Sequence, residues 1–106
     1  MTAAELKTLL ETTDLPVAYR FFEAATPETV QAPPFIVFYQ IADNSFYADN
    51  KRYYGSTQYN IELVTKRKDI TKEQLLETAL ADIPYTKSEE YIDSENCNQV
   101  TYEIEV

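Results

Sequence analysis

Residues 33–69 read PPFIVFYQIADNSFYADNKRYYGSTQYNIELVTKRKD, a stretch that holds five of the nine tyrosines and the only glycine of the chain. Residues 35–41 are apolar at every position except Gln40. A continuous run of that length predicts a strand covered on both faces, at the centre of a sheet. Downstream, Tyr59, Ile61 and Leu63 alternate with Gln58, Asn60 and Glu62, which predicts a second strand with one dry and one wet face. Residues 43–54, dense in Asp, Asn and Ser, read as a polar loop between the two, and Gly55 marks a bulge or a close backbone approach.

Upstream, Thr2-Ala3-Ala4-Glu5 is a capping box, with Met1 placed to staple against Leu6, and Leu6, Leu9 and Leu10 form one apolar stripe of a first helix. Thr12, Thr13 and Asp14 are poor helix formers and the Leu15-Pro16 step disfavours helical geometry, so the helix should stop by Thr13. Residues 17–22 (VAYRFF) are apolar at the odd positions and mixed at the even ones, a strand near the sheet edge. Residues 23–34 contain three of the five prolines and read as a surface connection.

Downstream, Thr71-Lys72-Glu73-Gln74 reads as a second capping box, with Ile70 and Leu75 as its staple. The spacing predicts a helix over 71–82 that buries Leu75, Leu76, Ala79, Leu80 and Ile83, leaves Glu73 and Glu77 elsewhere, and ends at Pro84. A weaker strand over 85–92, a turn at 93–96, and a last strand alternating Val100, Tyr102, Ile104 and Val106 with Thr101, Glu103 and Glu105 complete the order α-β-β-β-α-β-β. The expected fold is α+β, one domain over residues 1–106: a mainly antiparallel sheet of four to five strands with two helices packed on it.

Composition narrows function by exclusion. The chain is long enough to take roughly two-thirds of its unfolded surface out of water. A formal charge of −9 and a pI near 4.3 disfavour DNA, RNA and anionic membranes, because phosphate binding is driven by clustered Lys and Arg. The expected partners are proteins. A single cysteine, Cys97, allows no internal disulfide, suits a reduced intracellular site of synthesis, and reads as packing rather than as a reactive thiol. The N-terminus has neither a basic start nor a long apolar run, and no segment approaches the ~20 apolar residues of a membrane span.

No catalytic, metal or cofactor site is expected. The chain has no histidine, so the usual general base and metal ligand are missing. Asp43, Asp49, Glu89 and Glu90 sit among polar residues, where carboxylate pKa values stay ordinary. Residues 43–50 (DNSFYADN) are oxygen-rich but lack the spacing and glycine of a calcium loop, and Gly55 alone cannot build a phosphate cradle. Lys66, Arg67 and Lys68 read as a solvated turn that could touch an anionic partner. For Phe46, Tyr47, Tyr53 and Tyr54, in or beside the polar loop, a protein contact and internal packing stand side by side.

The LPVAYRFF and PPFIVFYQI strands, the acidic and aromatic segment after them, and YNIELVTKRKD followed by an amphipathic helix give this chain a layout that resembles the small tail-completion proteins of phages and prophages of Gram-positive bacteria. Such proteins are similar to the lambda-type tail terminators, α+β subunits that form a ring, commonly a hexamer, at the end of the tail tube and offer the surface to which the head docks. The resemblance implies a virion structural protein made in the bacterial cytoplasm and located in the tail. Its partners would be further copies of itself, the major tail protein and head-to-tail connector proteins, with no enzyme activity and no cofactor. Phe46, Tyr47, Tyr53 and Tyr54 would then lie at a subunit or tail-tube interface. A head-side neck or adaptor subunit, and an acidic cytoplasmic binding module, are the other two readings.

Overall fold

The computed structural model describes residues 1–22, 31–48 and 51–106, and for residues 44–48 and 51–56 the backbone alone. Among the described residues the order is α1 (Ala3–Glu11), β1 (Val17–Tyr19), β2 (Phe35–Ala48), β3 (Lys51–Thr65), α2 (Ile70–Ala79), β4 (Tyr85–Ile92) and β5 (Cys97–Glu105). The fold class and the α-β-β-β-α-β-β order are those read from the sequence. The strands form one sheet in the order β1-β2-β3-β5-β4. Only the β1–β2 pair is parallel; the other three pairs are antiparallel.

The capping box forms as the sequence predicts: Glu5 N donates to Thr2 Oγ1 at 3.1 Å and Thr2 N donates to Glu5 Oε1 at 2.9 Å. The Thr2 hydrogen bonds hold the Glu5 carboxyl below its usual range. Leu6 and Leu10, one helical turn apart, are fully buried. They meet Ile36 and Phe38 of β2, Tyr59, Ile61 and Leu63 of β3, Val100, Tyr102 and Ile104 of β5, and Leu76 and Leu80 of α2. This is the core. Strand periodicity puts alternate residues of each strand on one face, and both helices cover that same face.

Three sequence expectations change. The centre of the sheet is β3, not β2, because β2 has only the three-residue β1 outside it. Helix α2 starts earlier and ends earlier than 71–82: Asp69, not Thr71, is the N-cap, its Oδ1 accepting from Lys72 N at 3.1 Å. Its buried face is also rotated. Leu76 and Leu80 are fully buried, but Leu75 is 43% exposed and Glu73 only 3%.

Countercharge explains the Glu73 burial. Lys87 Nζ on β4 lies 2.9 Å from Glu73 Oε1 and 2.8 Å from Glu77 Oε2, while Lys68 Nζ lies 2.9 Å from Glu73 Oε2 and 2.8 Å from Glu89 Oε2. Tyr102 Oη and Tyr85 Oη donate to Glu77, and Asn98 Nδ2 donates to Glu89. A carboxylate enters a protein interior when it is paired in this way. The network ties the first two turns of α2 to β4 and β5, and Glu89 is part of it rather than a merely solvated residue.

The largest departure concerns residues 43–54. The described part of this segment is strand rather than loop: 43–48 continue β2 and 51–54 belong to β3, in register from Asp43↔Thr57 through Phe46↔Tyr54 to Ala48↔Lys51, with shifts between Gln40 and Ala42 and between Phe46 and Tyr47. Aromatic and β-branched residues fit a pleated surface well enough to outweigh the Asp and Asn content. The second shift falls beside Gly55, which itself pairs with Ser45. At ~3.4 Å per residue, the 15-residue β3 accounts for the 52 Å long axis of the molecule. The radius of gyration, 15.4 Å, exceeds the ~13 Å of a compact chain of this size.

Candidate protein-interaction surface

Three surfaces stand out: an arm, a groove on the sheet face away from the helices, and a basic recess. Strand β5 leaves β3 at Thr57, where Thr57 and Val106 exchange backbone hydrogen bonds of 2.8 and 2.9 Å. Strand β1 ends at Tyr19, opposite Phe38. Beyond these points β2 and β3 pair only with each other among the described residues, and they run on as a two-stranded arm for about six residues each, ~20 Å. Phe46, Tyr47, Tyr53 and Tyr54 all take positions on this arm, so the fold brings them together; their side chains lie outside the described residues.

The uncovered face follows from the run at 35–38. Ile36 and Phe38 point to the helices, so Phe35 and Val37 must point the other way, where neither helix lies. Phe35 pairs with Val64 and Val64 with Gln99 across three strands, giving a floor of Phe35, Val37 and Val64. Phe22 packs edge-on against Phe35, ring centroids 5.4 Å apart, and Ile92 stands on the opposite side. Together they bound a groove of about 260 Å³ with Glu62 and Glu95 at its margin.

The entry of Phe21 and Phe22 into this groove depends on one unusual residue. Arg20 has φ 69°, a left-handed conformation that costs a bulky side chain on the order of 1–3 kcal/mol. Phe21 N donates to Tyr19 O at 2.9 Å across it, a γ-turn that reverses the chain at the end of β1. Arg20 N also donates to Phe38 O, and its guanidinium lies 5.6 Å and 5.8 Å from the ring centres of Tyr19 and Tyr39, which offsets part of that cost. The result is Phe21 left 67% exposed. Asn60 donates to the Tyr39 hydroxyl and draws its pKa down, but the hydrogen bond to Glu62 at 2.7 Å, burial and the Glu62 charge together outweigh this and leave Tyr39 above the usual phenol range.

A third surface is polar. The turn after β3 and the first turn of α2 enclose a concavity of about 560 Å³ walled by Pro33, Pro34 and Thr65. Lys66, Arg67, Lys68 and Lys72, four of the nine basic residues of the chain, border it together with Asp69, whose carboxylate caps α2. Lys68 is spent on Glu73 and Glu89; Lys66, Arg67 and Lys72 have no ion-pair partner among the described residues. The sequence placed the first three in a solvated turn, and the structure adds Lys72 and the proline wall.

Among the described residues no three acidic or cysteine side chains converge as metal ligands. Cys97 is buried, its Sγ donating to Glu95 O at 3.2 Å. Among the described residues no helix is long and apolar enough to cross a membrane. The groove residues Phe21, Phe22, Val64 and Ile92 were missed as surface features. The signal for them was present, because a strand apolar on both parities needs two covering layers and the sequence offers helices enough for one. Compared with models of known protein families and with curated proteins, the sequence matches none.

Proposed function

We propose that this chain is a structural subunit of a phage or prophage tail, acting as a ring at the end of the tail tube that terminates the tail and presents the surface to which the head docks. The observation that carries this reading is the projecting β2–β3 arm with its four aromatic residues. An isolated two-stranded ribbon is marginal in water, and aromatic residues each bury about 150–250 Å². Four of them can thus supply about 600–1,000 Å², the size of one side of a standard protein interface. The resemblance of the strand and basic turn over residues 59–69, with the Leu-rich helix that follows, to tail-completion proteins supports the same reading. The acidity of the chain suits a ring around a DNA passage, since like charge keeps the duplex from adhering.

The test is genetic and morphological. Deleting the coding sequence from an inducible prophage should give overlong or headless tails by electron microscopy, restored by the wild-type chain supplied in trans. The Tyr47→Ser, Tyr54→Ser chain should fold, with an unchanged circular-dichroism spectrum, and fail to restore them. Normal infectious particles after deletion would sink the function. Tails of normal length lying beside unattached filled heads would move the subunit to the head side.

A further inference from the structure

We propose that the basic concavity formed by Lys66, Arg67 and Lys72 is a docking site for the acidic β4–β5 turn, Asp93-Ser94-Glu95, of a second copy of this chain. The inference rests on the ring reading, to which it adds one contact between neighbouring subunits. Three observations lead to it.

The first is charge distribution. With 18 acidic and nine basic residues, copies of this chain repel one another at long range. At physiological ionic strength that repulsion is screened beyond ~8 Å, so association depends on local complementarity. Basic residues are scarce and several are already engaged: Lys87 and Lys68 in the α2 network, Arg20 over Tyr19 and Tyr39. Lys66, Arg67 and Lys72 form the unpaired cationic cluster of the described residues, and they are held in a recess rather than spread over a convex face.

The second is shape. Asp93 and Glu95 occupy the four-residue tip that joins Ile92 to Cys97, closed by the bonds Glu95 N to Ile92 O and Asn96 N to Asp93 O and by Asn96 at φ 52°. The tip is exposed, and neither carboxylate has an ion-pair partner among the described residues. A convex turn with two carboxylates matches a recess of about 560 Å³, within the ~300–1,000 Å³ that encloses a group of that bulk.

The third is placement. Thr65, at the mouth of the recess, pairs with Asn98 of β5, next to the tip. Recess and tip therefore sit at the same end of the sheet but on different elements. Two different, complementary patches at one level can meet head to tail between neighbours, as a closed ring needs, or reciprocally in a two-fold pair. Charge-assisted pairing of this kind sets register and partner choice more than affinity.

The test uses the purified full-length chain at physiological salt, as an equimolar mixture of nitrogen-15-labelled and unlabelled protein. It is treated with a carbodiimide, which joins amine to carboxylate only where they touch. Mass spectrometry should find isopeptide links from Lys66 or Lys72 of one copy to Asp93 or Glu95 of the other. Arg67→Glu, which leaves every crosslinking group in place, should cut their yield several-fold, and Glu95→Arg in the same chain should restore the link through Asp93. Links confined to one copy, no links, or links spread equally over Glu11, Glu103 and Glu105 overturn the docking. So does an Arg67→Glu chain that crosslinks like the wild type. Because the assay needs no tail, its failure leaves the tail phenotype standing, and a missing tail phenotype with intact crosslinking removes the ring function alone.

Discussion

Truncating Leu76 and Leu75 separately to alanine tests the packing of α2 at the point where the structure departs from sequence periodicity. The two are adjacent in sequence and both were expected on the buried face. Leu76 is fully buried among Leu6, Leu10, Leu80 and the β3–β5 side chains, whereas Leu75 is 43% exposed. Removing three carbons from a site with no exposure costs the transfer energy, ~0.8 kcal/mol per methylene, plus a cavity term. Leu→Ala changes of this kind fall at about 3–5 kcal/mol. Against a total of roughly 5–15 kcal/mol for a domain, that is a large share. At Leu75 only part of the side chain leaves water, and alanine is the better helix former, so the cost should stay below about 1 kcal/mol. Urea denaturation followed by circular dichroism measures both. With a slope of about 1–3 kcal/mol per molar, Leu76→Ala should lower the midpoint by a molar or more and Leu75→Ala by a small fraction of that. Equal costs at the two positions, or the larger cost at Leu75, would refute the orientation of α2 and with it the burial of Glu73.

Stability should fall on both sides of neutrality, through the same network. Hydrogen bonds from Lys87, then Tyr102, hold Glu77 below the ordinary carboxylate value, and Lys68, then Asn98, do so for Glu89; groups depressed on folding contribute stability above their unfolded pKa and lose it as pH drops through the folded one, so urea midpoints should decline below about pH 4–5. Glu77, then Glu73, raises Lys87, and Glu89, then Glu73, raises Lys68; their contribution is complete below the unfolded lysine value and lost only at higher pH. A Glu77→Gln chain with an acid limb as steep as the wild type would remove Glu77 from this account. Double-stranded DNA should not bind tightly at physiological salt; tight binding with a steep salt slope, abolished by Arg67→Glu, would turn the basic recess into a phosphate site and sink the reading of a subunit that binds proteins alone.

Much of the architecture was legible because local signals and tertiary packing agreed. Strand β4 covers residues 85–92 and the turn 93–96, as the spacing predicts, and the Thr2–Glu5 box starts α1 where it should. Signals failed where a charge changed the cost of burial. Helical periodicity alone cannot tell that Lys87, fourteen residues downstream of Glu73, will sit beneath it; without that cation Glu73 belongs in water and Leu75 in the core. The same holds at α2's start, where Asp69 and Thr71 are both good caps and only the chain's exit from β3 selects Asp69.

The arm and the groove were hidden for opposite reasons, and both bear on function. In residues 43–54 the Asp, Asn and Ser content is a turn signal and the Phe and Tyr content a strand signal; what settles the contest is the partner strand, which lies in the same segment and extends a hairpin already nucleated by the Phe35–Gln40 and Tyr59–Val64 pairing. The groove was concealed by an inference that was sound for a larger protein. An apolar run such as Phe35–Ile36–Val37–Phe38 is covered on both faces when there are elements to cover it, and in a chain of 106 residues with both helices on one side the second layer has to come from elsewhere. Ile36 and Phe38 are buried in the core under the helices, and on the other face Val37 is buried in the groove that Phe22 also lines, while Phe21 stays largely in water. A small domain that spends left-handed backbone strain to place two phenylalanines over its own open face, and leaves one of them exposed, has half of an apolar contact already assembled. Together with the projecting arm and the basic recess, that half-built contact is where the proposed assembly would be tested first.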